Sequence, residues 1–446
     1  MGSNVLYVFD ISDISLRLAG PGLYCQSDRK EATILRNSKF LSFVAIFFIV
    51  LFSWGGQEGP KEKPKSLVFT NARLIDGTGA PAYANAVIVI SEGQFKAVGK
   101  AGQVSVPEDA EIIDVAGKTV IPGLIDGHMH MTSFAPTRYD TSLSNDSIMS
   151  FRAVYRLNQL LLAGITTVRD CNSPSNVSIM AKKGFGEGLF VGSRPIVAGQ
   201  GITSTGGHGS GNGFIADGEA EWRRGVREQL RRGADFVKLF PPYSRSEITG
   251  AIEEVHNHEK KVSVHSGMFE KQYDFIRWAI EAGADCVEHA YALPDDVIKM
   301  MAQKGTYCVP TVSVLLLIAD NWSKKYPDRP PRKKHLESKE IFKKLRAAGV
   351  RMGVGTDPVE DNTLAYPGIY FDELEWFASN GYTPLETIKA ATRTNAEICG
   401  VEEKLGTIEE GKIADLLVVD GDPLQDISIL RTKIQIIVQE GKFIKR

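Results

Sequence analysis

The stretch IPGLIDGHMH, residues 121–130, decides how this chain is read. It is a short apolar run bounded by Pro and Gly and closed by two histidines, the pattern of a buried strand. Strand side chains alternate with period two, so His128 and His130 point to one face. Working outward, seven further runs have the same texture: ITTVRD (165–170), RPIVAG (194–199), DFVKLF (235–240), VSVH (262–265), CVEHA (286–290), TYCVPTV (306–312) and RMGVGTD (351–357). Most are followed by amphipathic helical stretches such as DFIRWAIEAGA or SKEIFKKLRAAGV. Eight strand–helix repeats over residues 121–400 meet the requirement of a (β/α)8 TIM barrel. A doubly wound open sheet is the alternative, but no GxGxxG fingerprint is present.

Both flanks of this region are rich in β-strand signals. Before it come SLVFTNARLIDG, NAVIVISEGQFKAVG and EIIDVAGKTVIPG; after it come KLGTIEEGKIADLLVVDG and IQIIVQEGKFIKR. Runs of this kind broken by Gly and Asn turns predict a small β-sandwich domain assembled from residues 66–120 and 401–446.

The 446 residues are 43% hydrophobic and 24% charged, too apolar and too well balanced for a disordered chain. A net charge of −2 argues against a nucleic-acid partner, and a small-molecule substrate is expected instead. The five cysteines (25, 171, 286, 308 and 399) form no CxxC or disulfide framework and read as small buried hydrophobes. The first 65 residues form a separate segment. FLSFVAIFFIVLFSW (40–54) carries no charge, follows Arg36 and Lys39, and precedes a polar linker. Its length fits the core of an export signal better than a full membrane span. The 39 residues ahead of it suit a signal anchor, or a true start further downstream. The expectation is an exported or membrane-anchored protein whose membrane contact is confined to residues 40–54, and a cytoplasmic one if that segment is not a working signal. A homo-oligomer is compatible with the sequence.

In a parallel barrel the chemistry sits where strands end. Four of the eight histidines (His128, His130, His265 and His289) end such strands, and imidazoles converging on one rim form a metal site. Lys238 is the odd member, since an ammonium would be repelled by metal ions. Burial would lower its pKa and leave a neutral amine, which reacts with carbon dioxide to give a carbamate able to bridge two metals. Asp357, in GVGTD, can ligate a metal and take a proton from the attacking water. The pair His256 and His258 has the same spacing but lies on a helical stretch, where the two rings face apart. The charged run SKKYPDRPPRKKHLESKE reads as a solvated loop and helix start on the active-site side.

These residues resemble the amidohydrolase superfamily, in its imidazolonepropionase-like and Xaa-Pro dipeptidase branch. The resemblance rests on VIPGLIDGHMHM, AGITTVRD, TSTGGHGSG, DFVKLF, VSVHSG, CVEHA, GVGTD and the long C-terminal run GYTPLETIKAATRTNAEICGVEEKLGTIEEGKIADLLVVDGDPL, and it extends from about residue 66 to the end. It implies a binuclear centre of two divalent ions, zinc by expectation. His128 and His130 would hold the inner ion, and His265 and His289 the second. N6-carboxylated Lys238 would bridge the two, and Asp357 would be ligand and general base. His208, in GGHG, matches a loop histidine near the substrate, and Tyr243 a tyrosine on the substrate carboxylate. The implied reaction is hydrolysis of an acyclic amide, in a dipeptide of Xaa-Pro type or an N-acyl amino acid, by a hydroxide bridging the metals. Two departures bear on specificity: Phe240-Pro241-Pro242 follows the strand-four lysine at once, and His265 is followed by Ser266-Gly267. Lactone, phosphotriester or cyclic-amide hydrolysis is the alternative. Deamination is disfavoured because Met268 stands where deaminases of this fold carry Glu, and a non-catalytic binding protein because all six ligand positions are filled.

Overall fold

The structure is a computed structural model that describes residues 66–133, 145–266, 273–291, 293–328, 333–358 and 366–446. The apolar run 40–54, the rest of residues 1–65 and Met268 lie outside those residues. Among the described residues, no helix is long and apolar enough to cross a membrane.

The N-terminal part supplies β1 (Leu67–Leu74), β2 (Tyr83–Ser91), β3 (Gln94–Lys100), β4 (Glu111–Asp114) and β5 (Thr119–Pro122). The C-terminal part supplies three strands numbered in chain order as β15 (Leu416–Val419), β16 (Ile434–Gln439) and β17 (Lys442–Lys445). They form one eight-stranded sheet in the order β17-β16-β15-β5-β1-β2-β3, with β4 on β1. The antiparallel join of β5 to β15, with Ile121 opposite Leu417, ties the two ends of the chain together. One face of this sheet gathers Phe69, Ile88, Phe95, Val120, Leu416 and Val438 into a core of its own.

Between them lie β6 (Leu124–Met129), β7 (Ile165–Asp170), β8 (Arg194–Val197), β9 (Ile202–Thr203), β10 (Phe214–Ile215), β11 (Phe236–Leu239), β12 (Lys261–His265), β13 (Cys286–Glu288) and β14 (Tyr307–Val309). All pair in parallel, in the orders β6-β7-β8 and β10-β9-β11-β12-β13-β14. Helices alternate with them: α1 (Asp146–Leu162), α2 (Val177–Gly186), α3 (Glu219–Arg232), α4 (Arg245–Asn257), α5 (Tyr273–Ala282), α6 (Asp295–Lys304), α7 (Val312–Lys325) and α8 (Lys333–Ala347), with α9 (Gly368–Ser379) after them. The helices bury Leu157, Leu161, Val226, Ile252, Ile280 and Phe342 against the strands, as their amphipathic spacing requires. The result is a mixed α/β architecture in which the strands of each interior sheet run the same way.

Two expectations need correction. The run 121–130 is not one strand. It breaks at Gly123, where a Cβ would collide with Thr166 (Cγ2 at 2.6 Å). Gly123 N–H donates to Asp415 O and Leu124 N–H to Gly164 O, so the chain passes from one sheet to the other at that glycine. Nor does 351–357 form a regular strand. Met352 makes one isolated bridge to Cys308, and the rest is held by single bonds: Gly127 N–H to Val354 O, Thr356 N–H and Asp357 N–H to His128 O. The Asn395 side chain caps Val354 O and Ile125 O at 2.7 and 2.6 Å, doing part of the work of a ladder.

Candidate metal centre

His128 is in β6 and His130 one residue past it. Lys238 is in β11, His265 ends β12, and His289 follows β13. Asp357 follows the segment bonded to His128 O. The structure brings most of these groups together. His130 Nε2 lies 3.0 Å and His128 Nε2 3.4 Å from Asp357 Oδ1. Two nitrogen or oxygen ligands on one tetrahedral ion stand about 3.4 Å apart for bond lengths near 2.1 Å. A second convergence is His289 Nε2 with His265 Nδ1, at 3.0 Å. His289 Nδ1 is 3.7 Å from Asp357 Oδ2, so the carboxylate stands between the two histidine pairs. His130 and Asp357 keep 14% and 13% side-chain exposure while His128 keeps 1%, which puts the mouth of the site on the Asp357 side.

Orientation of the rings follows from their outer nitrogens. His128 Nδ1 is 2.7 Å from Glu288 Oε2, and His130 Nδ1 is 3.0 Å from Asn172 O. A carboxylate and a carbonyl can only accept, so both Nδ1 atoms carry hydrogen and both rings turn Nε2 toward Asp357. His289 Nδ1 meets Thr311 Oγ1 at 2.8 Å, and His265 Nε2 meets the Tyr291 hydroxyl at 2.9 Å. Three of these residues sit in the left-handed backbone region: His289 (φ 71°), Thr311 (φ 47°) and Asp357 (φ 45°). Each such conformation costs on the order of 1 kcal/mol or more in a non-glycine residue, and such costs cluster at sites that need a fixed geometry.

Lys238 is fully buried, and its Nζ has no hydrogen-bond partner. Burial pushes its pKa below the usual lysine range. A buried amine without a hydrogen-bond partner, 5.3 Å from the Phe240 ring centre and with burial outweighing the pull of Glu288 and Asp357, fits the carbamate expectation and disfavours a salt-bridged lysine. Burial opposes ionisation of Asp357, but His128 and His289 outweigh it and hold the carboxyl well below the ordinary aspartate value. Burial, reinforced by the crowding of His208, His289 and Lys238, which disfavours a further positive charge, pushes His265 well below the ordinary histidine value. For His289 burial outweighs the opposing pull of Asp357, so this ring too is held well below the ordinary histidine value. Neutral His265 and His289, an ionised Asp357 and an uncharged Lys238 are the protonation states that divalent ions need. At His128 burial is outweighed by the pull of Cys171, Glu288 and Asp357, which holds the ring well above the ordinary histidine value, so this imidazole must give up a proton to bind an ion.

His208 joins the cluster, its ring stacked on His265 with centroids 4.1 Å apart. Its backbone N–H donates to Pro241 O, so the Pro-Pro turn after β11 positions it. Tyr243 does not join. Its hydroxyl donates to Phe275 O at 3.1 Å and its ring packs on Trp222 and Phe275 in the apolar core. The short loop after Pro242 carries Tyr243 down to the start of α4 rather than over the strand ends. His256 and His258 stand at the end of α4, on Asp285 and Glu254, away from each other as expected. Of the charged run 323–340, residues 323–325 and 333–340 are helical.

Sequence reasoning missed Glu288, Arg169, Thr311 and Tyr291. An arginine inside the apolar strand ITTVRD was the available signal, since a buried guanidinium demands a buried acid.

The amidohydrolase family model matches residues 119–443, and the chain belongs to that family. It is therefore an enzyme that hydrolyses carbon–nitrogen bonds, from a family that acts on small molecules and generally uses a divalent metal centre. It is 27% identical to an ochratoxinase of Aspergillus niger over 83% of this chain and 84% of that one. It is 25% identical to an imidazolonepropionase of Rhizobium rhizogenes over 79% and 90% respectively. A solved Xaa-Pro dipeptidase with methionine bound in its active site superposes with a TM-score of 0.76 at 25% identity, covering 86% of this chain and all of that one.

Proposed function

We propose that the chain cleaves an acyclic amide bond, in a dipeptide of Xaa-Pro type or an N-acyl amino acid, at a binuclear centre. His128, His130, Lys238, His265, His289 and Asp357 would hold the ions, with Lys238 carboxylated and zinc as the metal. The observation that carries this reading is the gathering of His128, His130 and His289 around Asp357, with His265 on His289, together with a buried Lys238 Nζ that has no hydrogen-bond partner. Two divalent ions there would supply an acidified water and polarisation of the scissile carbonyl. Asp357, ionised and at the mouth, accepts the proton of the attacking water and returns it to the leaving amine. His208, stacked on His265, faces developing charge on the carbonyl oxygen. The resemblance to an ochratoxinase and a Xaa-Pro dipeptidase supports the acyclic amide as substrate class.

The same proposal extends to the scaffold. β6, β7, β8 with β9, β11, β12, β13, β14 and the segment 351–355 are the eight staves of one closed (β/α)8 barrel over residues 121–400. The bonds Gly127 to Val354 and Phe240 to Ile202 support its closure. The flanks 66–120 and 401–446 make the β-sandwich, with Thr119–Pro122 of β5 straddling the boundary. Residues 1–65 export or anchor the chain, which fractionation of the full-length protein tests. The experiment for function is a hydrolysis screen of Xaa-Pro and other dipeptides, N-acyl amino acids, lactones and phosphotriesters with metal-reconstituted protein. Dipeptide or N-acyl turnover is expected; turnover of lactones or phosphotriesters without any amide overturns the reading.

A further inference from the structure

Below the proposed ligands lies a buried ion network that holding metal does not by itself require. Glu288 and Arg169 are both fully buried, and Arg169 Nη1 reaches Glu288 Oε1 at 2.7 Å. Arg169 Nη1 also donates to Gly127 O at 3.1 Å, and its guanidinium lies 4.1 Å from the Phe236 ring centre, so it is fixed from two sides. The Ser263 hydroxyl donates to Glu288 Oε1 as well. The two oxygens of this carboxylate are thus divided. Oε1 is taken by Arg169 and Ser263, and Oε2 is left for His128 Nδ1 at 2.7 Å.

We propose that Glu288, clamped by Arg169 and Ser263, is the positioning residue that fixes which nitrogen of His128 is offered to the inner metal. The inference rests on the metal-centre reading above and deepens it. Arg169 can only donate, so Oε1 must stay an acceptor; Oε2, facing Nδ1, then keeps the hydrogen on Nδ1 and the lone pair on Nε2. An amide in place of the carboxylate reverses this. In a Glu288→Gln protein the single amide oxygen is claimed by Arg169 and Ser263, and the NH2 group turns to His128. Nδ1 must then accept, the ring hydrogen moves to Nε2, and the inner ion meets an N–H where it needs a lone pair. Loss of such an outer partner typically weakens metal binding by about 10- to 100-fold.

The test is competition of the zinc-loaded protein against a graded series of chelators, with zinc counted per chain. The cobalt-substituted protein is followed in parallel by its visible absorption. Wild type is expected to release two ions. Glu288→Gln should release one of them about 10- to 100-fold more readily, keep the other, and change the cobalt spectrum. Ser263→Ala, which preserves the charge and the Arg169 pair, should weaken the same ion by a smaller factor. It also carries the test if Glu288→Gln does not fold. A purely structural role would lower the melting temperature and leave the loaded cobalt spectrum unchanged, which overturns the inference. So does a folded Glu288→Gln that holds both ions as tightly as wild type, or, where that variant does not fold, a Ser263→Ala with unaltered release. A wild type that binds no zinc or cobalt overturns the metal-centre reading itself, and the inference falls with it.

Discussion

Replacing Gly355 by Ala should separate the geometry of the site from general stability. A Cβ at 355 would stand 2.8 Å from His128 N and 3.0 Å from His128 Cβ, and would also press on Val309. Ordinary contact begins at 3.4 Å, so His128 or the segment 351–355 must give way by 3.4 − 2.8, about 0.6 Å. The movement falls on the residue whose Nε2 lies 3.4 Å from Asp357 Oδ1. Overpacking of this kind costs roughly 1–3 kcal/mol in stability. Misplacing a reacting group by about 1 Å costs on the order of 100-fold in rate, so a fall in kcat/KM of roughly 10- to 100-fold is expected. Gly349→Ala is the control. It has φ 78° and nothing within 4 Å of a new Cβ, so it strains the backbone by roughly 1–2 kcal/mol without touching the site. The assay pairs melting temperature with kcat/KM on whichever substrate the screen identifies. Comparable destabilisation of both variants with activity lost only in Gly355→Ala is the expected result. A Gly355→Ala enzyme with wild-type kcat/KM would refute the close-approach reasoning.

Three further outcomes follow from the side chains around the site. Tyr243→Phe should cost about 1 kcal/mol, through the lost bond to Phe275 O, and leave kcat/KM within about twofold; a rise in KM of tenfold or more would return Tyr243 to the substrate. His208→Ala should lower kcat by about 100-fold at unchanged metal content, and undiminished turnover would remove His208 from the reaction. Burial raises the Glu373 carboxyl to about 7, though it accepts the N–H groups of Val312 and Ser313 at the start of α7. From the ordinary value of 4.5 up to about 7 the folded chain keeps a proton that the unfolded chain has lost. Stability should therefore fall as pH rises through that window, by on the order of 3 kcal/mol, and level off above it. Urea unfolding across the window should show that slope in wild type and a shallower one in Glu373→Gln; equal slopes would mean that Glu373 is not the titrating group.

The strands were legible because buried parallel strands read as apolar runs, and ITTVRD coincides with β7 residue for residue. His128, His130, His265 and His289 stood out because strand ends in a parallel α/β fold share one rim. What the sequence hid is set by contacts distant along the chain. The break at Gly123 depends on Thr166 in another strand, and the fate of 351–357 depends on Asn395. Tyr243 could not be placed because the turn through Pro241 and Pro242 decides whether it lies over the site or under it. Glu288 escaped because its neighbour His289 claimed the motif CVEHA. Strand alternation would send these two side chains to opposite faces, yet the left-handed backbone at His289 brings both into the site.

The central claim is that six residues form one binuclear metal centre bridged through Lys238. Metal analysis of purified wild type and Lys238→Ala tests it most directly. Wild type should hold about two divalent ions per chain, and Lys238→Ala should lose metal and activity together, with partial recovery on adding a short carboxylic acid in place of the carbamate. One ion or none in fully loaded wild type, or a Lys238→Ala protein with undiminished metal and activity, would contradict it.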